Sequence, residues 1–290
     1  MDRTYTLVLG AVAYDPKVVT IWDGFRDFFK RRGLGFDYVL FSNYERQVEA
    51  HLAGQIDVAW NSPLAWIETE RVSQARGRRA LAIAMRDTDC DLSSLVLARG
   101  DSSLHSLADL RGKRVGVGAS DSPQATLIPL LHIARETGLT PGRDFAVVEH
   151  DLLPGKHGDH VGGERAAAQA LRAGTIDASC MIDGNQLLFA REGTLAPGET
   201  RILGQTNLYD HCNFTVLEGD HPALVERFRA ELLAMSYDDP DVRPLLDLEG
   251  LRAWRPGRTS GYGLLNHAVD RTGYLDPWLR AMEAAPKVRA

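Results

Sequence analysis

Cysteine is scarce in this chain of 290 residues: Cys90, Cys180 and Cys212 are the only three. An odd number, and too few for a disulfide framework, fits a reducing compartment. Long hydrophobic runs are missing too, since no apolar stretch approaches the roughly 18 residues that a membrane helix needs; the sequence carries no transmembrane segment. Charge of one sign is not concentrated. Lysines and arginines are interspersed with acids, and a formal net charge of −6 argues against nucleic acid as a partner and for a small polar ligand. The chain runs from Met1-Asp2-Arg3-Thr4-Tyr5 straight into a strand pattern, without a basic segment, an apolar core or a lipoprotein cysteine. As written, it reads as cytoplasmic, or as periplasmic if a signal was cut away.

What the sequence does contain is a weak internal duplication. Leu7-Val8-Leu9 followed by Gly10-Ala11 resembles Val115-Gly116-Val117 followed by Gly118-Ala119, and a proline comes a few residues later in both, Pro16 and Pro123. Gly35 to Val39 resembles Gly142 to Ala146 as a second strand. Leu52-Ala53-Gly54-Gln55-Ile56-Asp57-Val58 resembles Arg172-Ala173-Gly174-Thr175-Ile176-Asp177-Ala178, where glycine ends a helix and a short strand follows. Between them Ile21, Phe25, Phe28 and Phe29 recur at helical spacing up to Gly33, as do Leu127, Leu130, Leu131 and Ala134 up to Gly138. Each half therefore reads β-α-β-α-β.

Strands alternating with helices imply parallel pairing, and ligands of open parallel sheets bind beyond the carboxyl ends of the strands. Leu92 to Arg99 and Arg201 to Leu217 read as strands crossing between the halves. The expected organisation is α/β and two-lobed: residues 1–93 with 205–290 form one lobe and 94–204 the other. Each lobe is a mixed sheet flanked by helices, and two hinge crossings join them.

These residues resemble the type 2 periplasmic-binding-protein fold, and more narrowly the substrate-binding proteins of phosphate, phosphite and phosphonate ABC transporters. The resemblance rests on Ile21-Trp22-Asp23-Gly24-Phe25, on Ile56 to Pro63, on Ala173 to Ala178, and most specifically on Ser106-Leu107-Ala108-Asp109-Leu110-Arg111-Gly112-Lys113-Arg114-Val115. It implies a solute-binding protein that takes a phosphonate-like or other polar metabolite, with an ABC transporter permease or a sensor as partner and no cofactor. It also implies oxyanion binding by hydroxyls and backbone amides in Gly118 to Thr126. The residues give independent grounds for that placement: Ser122 suits a helix N-cap, Pro123 the first helical position, and a helix start attracts anions. Ser120, Ser122 and Gln124 are the candidate contacts, and Asp121 is an awkward neighbour for a dianion.

The resemblance would place a histidine near Glu164 and matches Asp183 to an acidic residue that faces a ligand amine. Glu164 with Asp183 suggests a ligand with a cationic or hydrogen-bond-donating end; the plainer reading has Glu164 capping its own helix and facing solvent. In the first lobe Tyr14, Asn61 and Ser62 follow strands and are the candidate contacts, whereas Trp60 and Trp66 read as core.

Three features invite an enzymatic reading. Cys90, His211 and Cys212 fall on the two crossings, where the alternatives are a nucleophile, with Glu164 as the further candidate, part of a soft-metal site, or two buried thiols and a hydrogen-bonded histidine. His157 and His160 sit in a Gly-rich loop as weak metal candidates without the second ligand pair of a structural site. Gly116-Val117-Gly118 is a fragment of a dinucleotide fingerprint, but Asp121 stands where the next glycine belongs. The rival expectation is a cytoplasmic lyase or synthase of a small-metabolite or cofactor pathway.

Overall fold

The computed structural model describes residues 5–150 and 160–284, excluding the side chains of residues 160, 161, 283 and 284. The first run of elements is β1 (Leu7–Val12), α1 (Lys17–Arg31), β2 (Phe36–Phe41), α2 (Tyr44–Leu52), β3 (Val58–Asn61), α3 (Pro63–Ala75) and β4 (Ala80–Arg86). A second run follows with β5 (Ser94–Arg99), β6 (Arg114–Val117), α4 (Ile128–Thr137), β7 (Ala146–Glu149), α5 (His160–Arg172), β8 (Ala178–Ile182), α6 (Asp183–Glu192) and β9 (Thr200–Gln205). The chain ends with β10 (Asn213–Leu217), α7 (Pro222–Leu233), α8 (Arg243–Glu249), β11 (Trp254–Pro256), α9 (Gly263–Thr272) and α10 (Asp276–Ala284). One sheet has the order β11-β4-β10-β3-β1-β2 and the other β7-β6-β8-β5-β9. Both are mixed: β1, β2 and β3 pair in parallel, as do β6, β7 and β8, while β10 and β5 run antiparallel to their neighbours.

The chain divides into two compact units. The first comprises 1–90, 210–262 and 273–290, the second 91–209 and 263–272. The chain thus passes between the units four times, not at two crossings only. The extra pair of passages brackets α9, which buries Leu265, Ala268 and Val269 and packs against α4 of the second unit. The apolar face of α9 is what assigns it there.

The helical spacings are realised. On α1, Val18, Ile21, Trp22, Phe25, Phe28 and Phe29 are all buried, each side chain contributing about 1.5–3 kcal/mol by leaving water. Phe29 packs against Phe36 and Phe228, with tilted rings at separations of 4.8 and 5.1 Å. In the second unit, Val96, Val115, Val117, Ile133, Phe145 and Cys180 form one core. Burial pushes the Cys180 thiol up to about 12, so this cysteine packs as a small hydrophobe.

The duplicated Ala-Gly-x-Ile-Asp segment is a corner with a defined function. Gly54 and Gly174 take the left-handed conformation that ends α2 and α5. Asp57 then receives the backbone N–H of Val8 on Oδ2 at 2.7 Å and returns its own N–H to the Val8 carbonyl at 2.9 Å. Asp177 does the same to Arg114, at 2.8 Å in both directions. The isoleucine between glycine and aspartate occupies the space over Gly10 in one unit and Gly116 in the other, where an added Cβ would collide with its Cδ1.

This corner corrects the alignment of the repeat. Leu9 pairs with Val58 as Val115 pairs with Ala178, so Gly10 corresponds to Gly116, two residues before the Gly118 suggested by the sequence. Gly142 to Asp144 also proves to be a turn, with the Gly142 N–H on the Phe145 carbonyl at 2.9 Å; the second strand of that unit begins later, at Ala146.

The last turn of α2 carries His51, 1% exposed, with both ring nitrogens buried and unbonded among the described residues. Burial lowers its pKa from 6.5 to about 4. The unfolded chain takes up a proton near 6.5 while the folded chain stays neutral, so this contribution is complete above 6.5 and is lost as pH falls toward 4. The expected result is a melting temperature that declines across that window and declines less steeply in His51→Gln; equal slopes in calorimetric scans from pH 7 to pH 4 would contradict it.

Candidate functional site

The strongest candidate lies at the carboxyl edge of the second unit's sheet, where β6, β8 and β9 end and β5 begins. After β6 the chain makes a short loop and enters a helical start at Pro123–Leu127, wound as a π-helical turn, which continues into α4. Ser122 is the N-cap: its Oγ accepts from the Ala125 N–H at 3.2 Å, and its carbonyl accepts from Thr126 and Leu127 at 3.1 and 3.0 Å. The Ala119 carbonyl accepts from the Ser122 N–H at 2.9 Å and from the Thr126 hydroxyl at 2.7 Å. Gly118 lies so close that a Cβ there would sit 2.9 Å from that of Ala125. The loop is therefore fixed in shape, with Ser120 exposed and Ser122 fully buried.

A buried chain of hydroxyls ties the helix start to the sheet. The Ser94 hydroxyl lies 2.5 Å from the Gln124 carbonyl and 2.8 Å from the Tyr209 hydroxyl, while its backbone N–H donates to Thr206 Oγ1 at 2.9 Å. Gln124 is thus held by its backbone, and its side chain is 5% exposed. Beside it, Gln205 Nε2 donates to Ser93 Oγ at 2.9 Å, and Ser93 Oγ donates to Asp183 Oδ2 at 2.8 Å. Asp183 opens α6 and takes its own helix's Gly184 N–H on Oδ1 at 2.7 Å.

Glu164 has a different environment from the solvent-facing cap that its sequence position allowed. It is fully buried, and its Oε2 accepts from the Ile182 N–H at 3.0 Å and from Asn185 Nδ2 at 2.9 Å. It binds α5 to the start of α6, and so fixes the backbone on which Asp183 stands. Ser93, Ser94, Gln205, Thr206 and Tyr209 were not singled out from sequence. The polar pairs Ser93-Ser94 and Gln205-Thr206, set at the ends of apolar strands, were the available signal.

In the first unit, the corrected register puts Tyr14 where Ser120 stands in the second, and Tyr14 is 48% exposed. Ser62 caps α3, accepting from the Ala65 N–H at 3.3 Å. Asn61 is fully buried, accepts from Gln47 at 2.8 Å and donates to Thr215 at 2.9 Å; its amide is engaged within the core. Trp60 and Trp66 are buried as well. A concavity of this unit, about 1390 Å³, is lined by residues such as Arg46, Glu49, Asp57, Arg78, His221 and Trp278 and touches none of the candidates.

Also in the first unit, His211 Nδ1 lies 3.2 Å from Cys212 Sγ and 3.3 Å from Asp89 Oδ1. Burial alone would lower the imidazole pKa, but Cys212 and Asp89 beside it prevail and raise it to about 10. Arg86 chelates Asp89 with Nε and Nη2, at 2.5 and 3.0 Å, and holds that carboxyl down at about 2 against its burial. Cys90 points its thiol at the Arg86 carbonyl, 3.4 Å away. His157 lies outside the described residues, and His160 is placed only as the first residue of α5.

Residues 11–262 match the family described as the ABC transporter, phosphonate, periplasmic substrate-binding protein. The chain is 24% identical over 283 residues to the phosphate-import protein PhnD of Mycolicibacterium smegmatis, which spans 90% of this chain and 81% of that protein. It superimposes with a TM-score of 0.67 on PhnD1 of Prochlorococcus marinus in complex with methylphosphonate, at 14% identity and covering 92% of this chain and 98% of that one. A Xanthomonas citri protein bound to ATP gives 0.67 at 20% identity, covering 94% and 98%. At these identities the likeness establishes the periplasmic-binding-protein fold alone.

The buried position of Glu164 has a measurable consequence. Glu164→Ala strands the Ile182 N–H and the Asn185 amide, each costing about 1–3 kcal/mol, and is expected to lower stability in urea by about 2–4 kcal/mol. A loss below about 0.5 kcal/mol, the range of an ordinary surface substitution, would contradict the placement.

Proposed function

Since the chain belongs to the family of periplasmic substrate-binding proteins of phosphonate ABC transporters, we propose that it captures a phosphonate or phosphate-type oxyanion on the 118–126 segment of its second unit. The observation that carries this reading is the Ser122-capped helix start behind a fixed loop. A helix N-terminus presents backbone N–H groups and a partial positive charge to an anion, and exposed Ser120 adds a hydroxyl beside it. Preorganisation matters because a loop already held by Ala119, Thr126 and Ser94 has little entropy left to lose on binding.

Asp183, with Ser93 and Gln205 at its side, favours a ligand whose other end donates hydrogen bonds, such as an ammonium or a hydroxyl. In this reading Glu164 acts by holding the start of α6 and does not itself meet the ligand. The family's setting is periplasmic, none of the described helices is long and apolar enough to cross a membrane, and the partner that receives the ligand is the transporter's permease. Capture and release, without chemical conversion, is the function.

Thermal shift with methylphosphonate, inorganic phosphate and 2-aminoethylphosphonate tests this, with each ligand re-examined by mass spectrometry. At least one should raise the melting temperature saturably and be recovered unchanged. Ser120→Ala, which removes no cap, is expected to weaken binding about tenfold or more, tenfold being the low end of about 1.5–3 kcal/mol for a hydrogen bond to a charged group. No stabilisation by any of the three, or conversion of the ligand, would overturn the proposal.

A further inference from the structure

The anion site leaves unused the group around His211 in the first unit. Asp89, His211 and Cys212 each offer one donor atom, and these atoms lie within 4.8 Å of one another. From this geometry we infer that Asp89 Oδ1, His211 Nδ1 and Cys212 Sγ form a binding site for a zinc-class divalent cation, with a fourth position open to water or an oxyanion.

The two separations that involve His211 support the assignment. For ordinary Zn–N and Zn–O bonds of about 2.0 Å and Zn–S of about 2.3 Å, the 3.3 Å between Nδ1 and Oδ1 subtends roughly 110° at the metal, and the 3.2 Å between Nδ1 and Sγ roughly 95°. Both are near tetrahedral. A thiolate, an imidazole and a carboxylate are a borderline-soft donor set that suits Zn²⁺ and Co²⁺ and disfavours Mg²⁺ and Ca²⁺. Three protein ligands leave the open position typical of non-structural zinc sites.

The surroundings hold the backbone that carries His211 and the carboxylate of Asp89. The His211 N–H donates to the Asp89 carbonyl at 2.8 Å, and the His211 carbonyl accepts from the Tyr262 hydroxyl at 2.7 Å. Tyr262 in turn accepts from Asn213 at 2.8 Å. Arg86 orients the Asp89 carboxylate and lies 3.4 Å from Glu249 Oε1.

The test is Co²⁺ titration of the reduced, chelator-treated full chain, followed by absorption. The site predicts one equivalent bound per chain, with the intense visible bands of four-coordinate Co²⁺, a thiolate-to-metal charge-transfer band in the near ultraviolet, and bleaching by Zn²⁺. The charge-transfer band should disappear in Cys212→Ser and His211→Ala and persist in Cys90→Ser. A measurement on the unsubstituted chain covers a variant that fails to fold: Zn²⁺ should shield Cys212 from alkylation, as mapped by peptide mass spectrometry. Absence of the charge-transfer band in the unsubstituted chain, its persistence in folded Cys212→Ser, or alkylation of Cys212 unaffected by Zn²⁺ would overturn the assignment.

Discussion

Each unit depends on one carboxylate that accepts a backbone N–H from a neighbouring strand. Asp57 and Asp177 are short enough to reach back from a helix-to-strand corner, and each exchanges hydrogen bonds with the central strand of its unit's three parallel strands, Val8 of β1 in one case and Arg114 of β6 in the other. A charge-assisted bond to an otherwise unpaired N–H is worth more than a neutral one. Its larger effect is on register, because a parallel pair displaced by one residue would turn every core side chain outward.

Once that register is set, the carboxyl ends of the parallel strands fall at one edge, and the loops that leave them are brought together. In the second unit this edge collects Ser120, Ser122, Ser93, Asp183 and Gln205, side chains spread over more than 110 positions of sequence. The hydroxyl chain from Tyr209 through Ser94 to the Gln124 carbonyl satisfies polar groups that would be costly to leave unmade in the interior. The same bonds make the helix start rigid. In the proposed site, binding strength and fold stability would draw on shared groups, and this is why Ser120 is the position chosen to report on ligand.

Much of this was legible in the sequence. The Ala-Gly-x-Ile-Asp corners, the helix of Phe25 and Phe29, the Ser122-Pro123 cap and the two-sheet α/β class all follow from local rules on glycine, periodicity and capping. The exact repeat alignment did not, because Gly10 matches Gly116 and Gly118 equally well until the isoleucine packed over it is known. Nor did the burial of Glu164, whose partners Ile182 and Asn185 lie at the end of β8 and the start of α6. Asn61 looked like a ligand contact since it follows a strand, yet Gln47 and Thr215 engage it from elements distant in sequence. The meeting of Asp89 with His211 and Cys212 depends on two segments about 120 positions apart lying side by side, which only the fold brings about.

The most direct test of the central claim, that an oxyanion is held at the Ser122-capped helix start, is amide nuclear magnetic resonance of the full chain titrated with methylphosphonate. The account predicts saturable shifts concentrated on the backbone N–H groups of Ser120, Asp121 and Gln124, which would face the anion. Shifts centred elsewhere in the chain, or none at saturating ligand, would contradict it.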